Sequence, residues 1–160
     1  GPTRRVIVAL VANKSGVLSR VTSVLNRRQV NIESISVGAT EQFELSRMTI
    51  VVNVSDLAEA ERVIKQLNKQ IEVLKVLDIT GDPHIERELA LIKVNAPTAI
   101  RSEIQAVIAP FRADIVDVAQ KSIMIQVVGT HEKIDACIEV LRPYGLKQLA
   151  RTGITGLVRG

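Results

Sequence analysis

The sequence predicts an α+β protein made of two tandem ferredoxin-like βαββαβ modules. Three observations predict it. The apolar period switches between two and 3.6 in the order strand, helix, strand, strand, helix, strand. Gly81-Asp82-Pro83 then breaks the chain near its middle. Beyond the break the same order returns, with apolar residues at one constant offset. The domains are therefore placed at 4–81 and 82–160.

In the first module, Arg4 to Asn13 is rich in β-branched residues and reads as a strand. Ser15-Gly16 signals a helix start, and Val17, Val21, Val24 and Leu25 follow as one apolar stripe. Residues 30–38 and 43–54 read as strands joined by the short turn Ala39-Thr40-Glu41-Gln42. Asp56 with Glu59 makes a capping box for a helix carrying Leu57, Ala60, Ile64 and Leu67. Ile71 to Thr80 is the last strand. In the second module, strands are expected at Leu89 to Asn95, Ala113 to Val118, Ile123 to Val128 and Leu146 to Ala150. Its helices run from Thr98 to about Ala109 and from just after Thr130. Val17, Val21, Val24, Leu25 and Ile32 reappear as Ile100, Ile104, Val107, Ile108 and Ile115, all 83 positions later.

The strand faces carry an expectation about assembly. Both helices of such a module lie on one face of its sheet, yet the first strand is apolar on both: Val6, Val8 and Leu10 point one way, Ile7, Ala9 and Val11 the other. The third strand puts Met48, Ile50, Val52 and Val54 on one face and Val51 on the other. A second apolar face in water would invite aggregation. A homodimer is expected, with the second module or a partner chain as further cover.

Composition excludes several classes. The 160 residues are 46% apolar and 24% charged, as in an ordinary globular chain. No apolar run approaches the roughly 20 residues of a membrane helix and no export signal is seen, so no membrane role is expected. One cysteine, Cys137, cannot form an internal disulfide and points to a reducing compartment, hence a cytoplasmic location. Gly1-Pro2 carries no weight. The net charge of +4 is spread, with 11 Lys and Arg against 8 Asp and Glu in 1–81 and 10 against 9 in 82–160. Two Phe, one Tyr and no Trp leave little to stack on bases, so no nucleic-acid partner is expected.

Catalytic and metal sites are expected to be absent. His84 beside Pro83 reads as a linker residue, His131 as the exposed first turn of a helix, and Cys137 as a buried small hydrophobe. Glu86, Arg87 and Glu88 read as solvated charges opening a strand. There is no Gly-rich phosphate loop and no serine elbow.

One segment stands apart: Asn13-Lys14-Ser15-Gly16-Val17-Leu18-Ser19-Arg20, where the first strand ends and the first helix begins. Free amides at a helix N-terminus favour an anion, and glycine lets a ligand approach the backbone. Asn13 can donate or accept, and Val17 and Leu18 offer an apolar wall. From spacing alone two readings stay open, an anion corner or a plain strand-to-helix turn capped by Ser15. In the second module Ala99 replaces Gly16 and Pro97 removes one amide. A site of this kind belongs to the first module only.

These residues carry a resemblance. Asn13-x-x-Gly16-x-Leu18-Ser19-Arg20, Asn31-Ile32-Glu33-Ser34, Leu45-Ser46-Arg47-Met48-Thr49-Ile50, His84-x-Glu86-Arg87-Glu88 and Arg151-x-Gly153-x-x-Gly156-Leu157 together resemble the ACT domain family. Within it, the resemblance is to the small regulatory subunits of acetolactate synthase (acetohydroxyacid synthase). The set spans almost the whole chain, which stops at Gly160 where members often continue for a few residues. The resemblance implies a non-catalytic subunit in valine, leucine and isoleucine biosynthesis. Such a subunit activates a large catalytic subunit and mediates feedback inhibition, usually by valine, bound between ACT domains of a homodimer. It implies an effector site with Asn13, Gly16, Val17 and Leu18 on one wall and Asn31 and Ile32 of a second copy on the other. No cofactor is implied for this chain; thiamine diphosphate, Mg and FAD are implied for the catalytic partner.

Two other classes fit the residues less well. A ferredoxin-like RNA platform would stack bases on sheet aromatics, of which the central strands offer only Phe43 at a strand start. An amino-acid-responsive metal or transcriptional regulator would need clustered His and Cys ligands.

Overall fold

The computed structural model describes residues 3–160; Gly1 and Pro2 lie outside the described residues. The chain divides into two compact units, 1–85 with 154–160, and 86–153.

The first unit contains β1 (Thr3–Ala12), α1 (Val17–Arg27), β2 (Asn31–Ala39), β3 (Leu45–Val54), α2 (Leu57–Asn68) and β4 (Val73–Asp78). Its strands lie in the order β2-β3-β1-β4, each neighbouring pair antiparallel. This is the expected βαββαβ arrangement. The helix-side core joins Ile7, Ala9 and Val11 of β1 to Met48, Ile50 and Val52 of β3. Val21, Val24 and Leu25 of α1 and Val63 and Leu67 of α2 close it from above. Asp56 caps α2 by accepting from the Glu59 amide at 2.8 Å. The Glu59 carboxylate does not return to the cap; it binds Arg28 at 3.1 Å and Arg62 at 2.9 Å. Phe43, expected at a strand start, sits instead in the turn before β3.

On the opposite face Val6, Val8, Val51 and Ile79 form a separate cluster closed by Ile154, which is 0% exposed. Ile154 begins a strap that continues into β9 (Thr155–Val158). The strap is held by polar side chains from alternate positions of β2 and β3. Ser36 Oγ donates to the Ile154 carbonyl at 2.7 Å, and the Ile154 amide donates to Ser34 Oγ at 3.4 Å. Arg47 donates through Nε and Nη2 to the Gly156 carbonyl at 3.2 and 2.8 Å, while the Gly156 amide donates to buried Thr49 Oγ1 at 3.4 Å. A Cβ on Gly156 would lie 3.2 Å from Ile79 Cδ1, so a larger residue there would make Ile79 give by a few tenths of an ångström. The sequence reading placed all of 82–160 in one module; the structure groups 154–160 with the first unit. Part of the cover expected for the second sheet face thus comes from the chain's own last residues.

The second unit repeats the arrangement. It comprises β5 (His84–Asn95) from Glu86 onward, α3 (Arg101–Ile108), β6 (Asp114–Val118), β7 (Ser122–Gly129), α4 (His131–Leu141) and β8 (Leu146–Arg151), in the sheet order β6-β7-β5-β8. Its core gathers Ile92, Val94, Ile104, Ile108, Ile125, Ile134, Cys137 and Leu141. β5 starts at His84 rather than Leu89. Its longer course has a physical cause, since β9 pairs with it and the Arg159 amide donates to the Pro83 carbonyl at 2.8 Å. His84 is therefore a strand residue, not a linker. Two further expectations are corrected. Glu88 is 4% exposed, not solvated, and its carboxylate accepts from Arg151 Nε at 2.8 Å because a buried charge requires a counter-charge. His131 is half-buried beside that pair, its Nε2 3.2 Å from Asp135 and its Nδ1 3.1 Å from Arg151.

Two measurements follow from the first unit. Ile154→Ala empties a fully buried position and should cost about 2–5 kcal/mol in urea unfolding. A loss below about 1 kcal/mol would show that the strap is not part of this core. The second concerns Asp78, which accepts from Arg5 Nε at 2.7 Å and the Thr80 amide at 3.0 Å. Burial pushes the Asp78 carboxyl up, but the hydrogen bonds from Arg5 and Thr80 and the Arg5 charge outweigh it, leaving a value below the ordinary one. A carboxyl depressed on folding stabilises fully above its unfolded pKa of about 3.9, and that contribution is lost as pH falls through the folded value. Asp78→Asn should therefore lower stability at neutral pH and flatten the acid limb of the stability profile below about pH 4.

Candidate effector-binding site

The local sequence dictates an unusual start for α1. Gly16 occupies the N-cap at φ 85°, ψ −10°, and no side chain caps the helix. The Ser15 cap considered from spacing is not formed. α2 and α4 begin differently, since Asp56 accepts from the Glu59 amide at 2.8 Å and Thr130 from the Lys133 amide at 3.3 Å. Among the α-helices, α2, α3 and α4 each carry an acidic residue in the first turn, whereas α1 carries none. Its opening amides thus keep their partial positive charge without a local carboxylate to satisfy it.

The corner is framed by named groups. The Asn13 amide donates to the Glu44 carbonyl at 2.8 Å, which ties the loop to the turn before β3. Val17 is buried and anchors the helix, while Leu18 stays 48% exposed beside it. Arg20, one turn on, folds back so that its Nη1 would lie 2.9 Å from a Cβ on Gly16, and its Nη2 binds Glu72 at 2.6 Å. Arg20 was not among the sequence-predicted site residues. Its i+4 spacing from Gly16 was the available signal. The corner can therefore take an anion, offering backbone amides and a guanidinium with an apolar wall alongside.

Asn31 and Ile32 do not join this corner within one chain. They open β2 and pair with Asn53 and Val52, and Asn53 in turn faces Arg4 near the start of β1. The Gly16 corner follows Ala12, at the other end of β1. Eight residues of strand separate the two ends, about 27 Å at roughly 3.4 Å per residue. Ile32 is 36% exposed, and β2 is an edge strand with one side unpaired in the sheet.

The second unit closes its equivalent corner with its own atoms. Thr98–Ile100 form a short 3-10 turn ahead of α3. The Arg101 side chain donates from Nε to the Ala96 carbonyl at 2.9 Å and from Nη2 to the Gln120 carbonyl at 2.9 Å. Elsewhere, burial pushes the Cys137 thiol up, as suits a core residue rather than a nucleophile. Among the described residues no three His, Cys, Asp or Glu side chains gather to hold a metal, and no helix is long and apolar enough to cross a membrane.

Residues 7–75, which contain the uncapped, glycine-opened α1, match the family model described as the AHAS small subunit-like ACT domain. Residues 87–160 match the model for the small subunit of acetolactate synthase. Over 157 residues the chain is 52% identical to the acetolactate synthase small subunit of Bacillus subtilis strain 168, covering 98% of this chain and 91% of that one. It is also 52% identical to the probable acetolactate synthase small subunit of Archaeoglobus fulgidus, covering 98% of each. The crystal structure of the Thermotoga maritima acetolactate synthase small subunit superposes with a TM-score of 0.90 at 36% identity, covering 99% of this chain and 98% of that one. The chain belongs to the acetolactate synthase small subunit family. It is accordingly a regulatory, non-catalytic subunit that associates with a large catalytic one and acts in the regulation of branched-chain amino-acid biosynthesis.

At φ 85° an added side chain is strained and would press on Arg20. Gly16→Ala should cost about 1–2 kcal/mol in unfolding free energy, and Gly16→Asn, which tolerates the left-handed region better, should cost less. Equal stability of all three proteins would contradict the left-handed cap.

Proposed function

We propose that this chain binds a branched-chain amino acid, valine first, in a site completed by two copies, and so conveys feedback inhibition to the large subunit it activates. The observation that carries the reading is the Gly16 corner: uncapped amides, no acid in the first turn, and Leu18 exposed beside them. The effector carboxylate lies on the α1 amides near Arg20. Asn13 and Asn31 of a second copy orient the ammonium. Val17, Leu18 and Ile32 of the second copy enclose the aliphatic side chain.

Magnitudes require both walls. An anion at a helix N-terminus gains typically about 0.3–1 kcal/mol, and a millimolar Kd needs about 4 kcal/mol. Fully burying a valine side chain contributes about 1.5–3 kcal/mol, and one exposed leucine cannot enclose it. The free edge of β2 supplies the geometry. Antiparallel pairing of two β2 edges about a two-fold axis carries Asn31 and Ile32 of one copy toward the Gly16 end of the other. The homodimer is thus part of the site.

Inhibition follows from differential affinity. An effector that bound the activating and inhibited arrangements equally would shift nothing. Closing two walls on an amino acid fixes the dimer geometry, and that geometry supports the large subunit less well. The thiamine diphosphate, Mg and FAD of the reaction belong to the large subunit, and the complex works in the cytoplasm.

Calorimetric titration of the full chain with valine, leucine and isoleucine should give saturable binding, preferring one over its neighbours by roughly 10–200-fold per methylene. Gly16→Asp, which places a carboxylate where the effector's would sit, should abolish binding at this corner. A mixed dimer of Gly16→Asp with Asn31→Ala/Ile32→Ala should recover one intact corner of the two. Failure of the mixture to recover any binding at that corner, with both parents folded, would defeat the between-copy site.

A further inference from the structure

The first unit holds a cavity of about 330 Å³ on the strap side of its sheet, away from the helices. That volume is at the lower end of the roughly 300–1,000 Å³ typical of small-molecule sites. Its apolar lining comes from Leu10, Leu45 and Leu157, with Arg47 and Glu41 at the polar side. Arg47 spends Nε and Nη2 on the Gly156 carbonyl, which fixes the guanidinium plane and leaves Nη1 without a partner among the described residues. Glu41 makes no ion pair among the described residues, so the two opposite charges flank the cavity without neutralising each other. The turn that carries Glu41 is preformed, because Thr40 Oγ1 accepts the Gln42 amide at 3.1 Å and lies 3.1 Å from the Leu45 carbonyl.

We propose that this cavity is a second ligand site, taking a small aliphatic α-amino acid. Its carboxylate pairs with Arg47, its ammonium with Glu41, and its side chain rests on the three leucines. A fixed cation and an unpaired anion beside an apolar floor select a zwitterion over a plain fatty acid or amine, since either of those leaves one charge unpaired. The turn is also bonded to the Asn13 loop through the Glu44 carbonyl at 2.8 Å. Occupancy here orders a segment the Gly16 corner depends on, and the effect is reciprocal. The coupling rests on the effector reading above; the site itself does not.

The test is calorimetry on the full chain with L-valine and L-leucine, with amide chemical shifts of residues 40–45 and 157 as the local readout. In the Gly16→Asp protein the second site should persist, with saturable shifts at Glu41 and Leu157. Glu41→Lys, a change on an exposed turn, should weaken that binding at least about tenfold, as loss of a charge-assisted pair requires. Arg47→Gln should do the same, with its melting curve reporting on the strap. Isobutylamine, which lacks the carboxylate, should leave these amides unmoved. The proposal is overturned if the amides do not shift with either amino acid, or if Glu41→Lys and Arg47→Gln leave the shifts intact. If Gly16→Asp removes nothing while the cavity still binds, the corner reading fails and this one stands.

Discussion

A sheet whose central strand is apolar on both faces cannot be finished by two helices on one side. β1 imposes this condition on the whole first unit. Ile7, Ala9 and Val11 are satisfied by α1 and α2, and Val6 and Val8 are left to find a partner elsewhere. Ile154 is that partner. Because it comes from the far end of the chain, the first unit completes its core only when the last residues are in place. The cost of closing so long a loop grows slowly with length, so a single well-packed isoleucine with several backbone-directed hydrogen bonds can offset it. Every polar side chain that holds the strap, Ser34, Ser36, Arg47 and Thr49, stands at an alternate strand position facing away from the helices.

The same condition explains why the two faces of this unit differ in chemistry. On the helix side, Gly16 turns the chain into α1 without a cap. Elsewhere on that side Glu59 pairs with Arg28 and Arg62. On the strap side Arg47 does two things at once, fixing Gly156 and presenting a guanidinium edge to the cavity beside it. Both features meet at the segment 40–45, where the Glu44 carbonyl accepts the Asn13 amide and Glu41 and Leu45 line the cavity.

Much of this was legible in the sequence, for reasons visible in particular residues. The stripes Val17-Val21-Val24-Leu25 and Ile100-Ile104-Val107-Ile108 are periodic, and periodicity survives any tertiary context. The Asp56 cap was readable because it is local. Gly16 was readable as a close-approach position, and the structure gives it a left-handed φ that few other residues would accept. What escaped was non-local. Nothing near Ile154 in sequence announces that it will lie against Val6 and Val51. Glu88 could not be separated from its charged neighbours because its partner Arg151 is 63 positions away. The place of Arg20 is not legible in sequence, since its reach back over Gly16 is a rotamer rather than a spacing.

The divergence of the two modules shows what the fold needs and what it merely permits. Both keep two helices over an antiparallel four-strand core, so the apolar stripes are a requirement of the fold. Only the first keeps an open helix start. In the second, Pro97 and Ala99 stand at that position and Arg101 spends its guanidinium on the Ala96 and Gln120 carbonyls. An arginine that binds its own backbone has no donors left in that direction for a ligand, and a 3-10 turn without a glycine offers no close approach. One module can hold the architecture while the other keeps an open helix start, because the left-handed turn at Gly16 lies just outside the core that Val17 beside it enters. The two modules thus share the inner pair of the first-helix stripe, Val21 and Leu25 in one and Ile104 and Ile108 in the other, all buried, and differ where the helix begins.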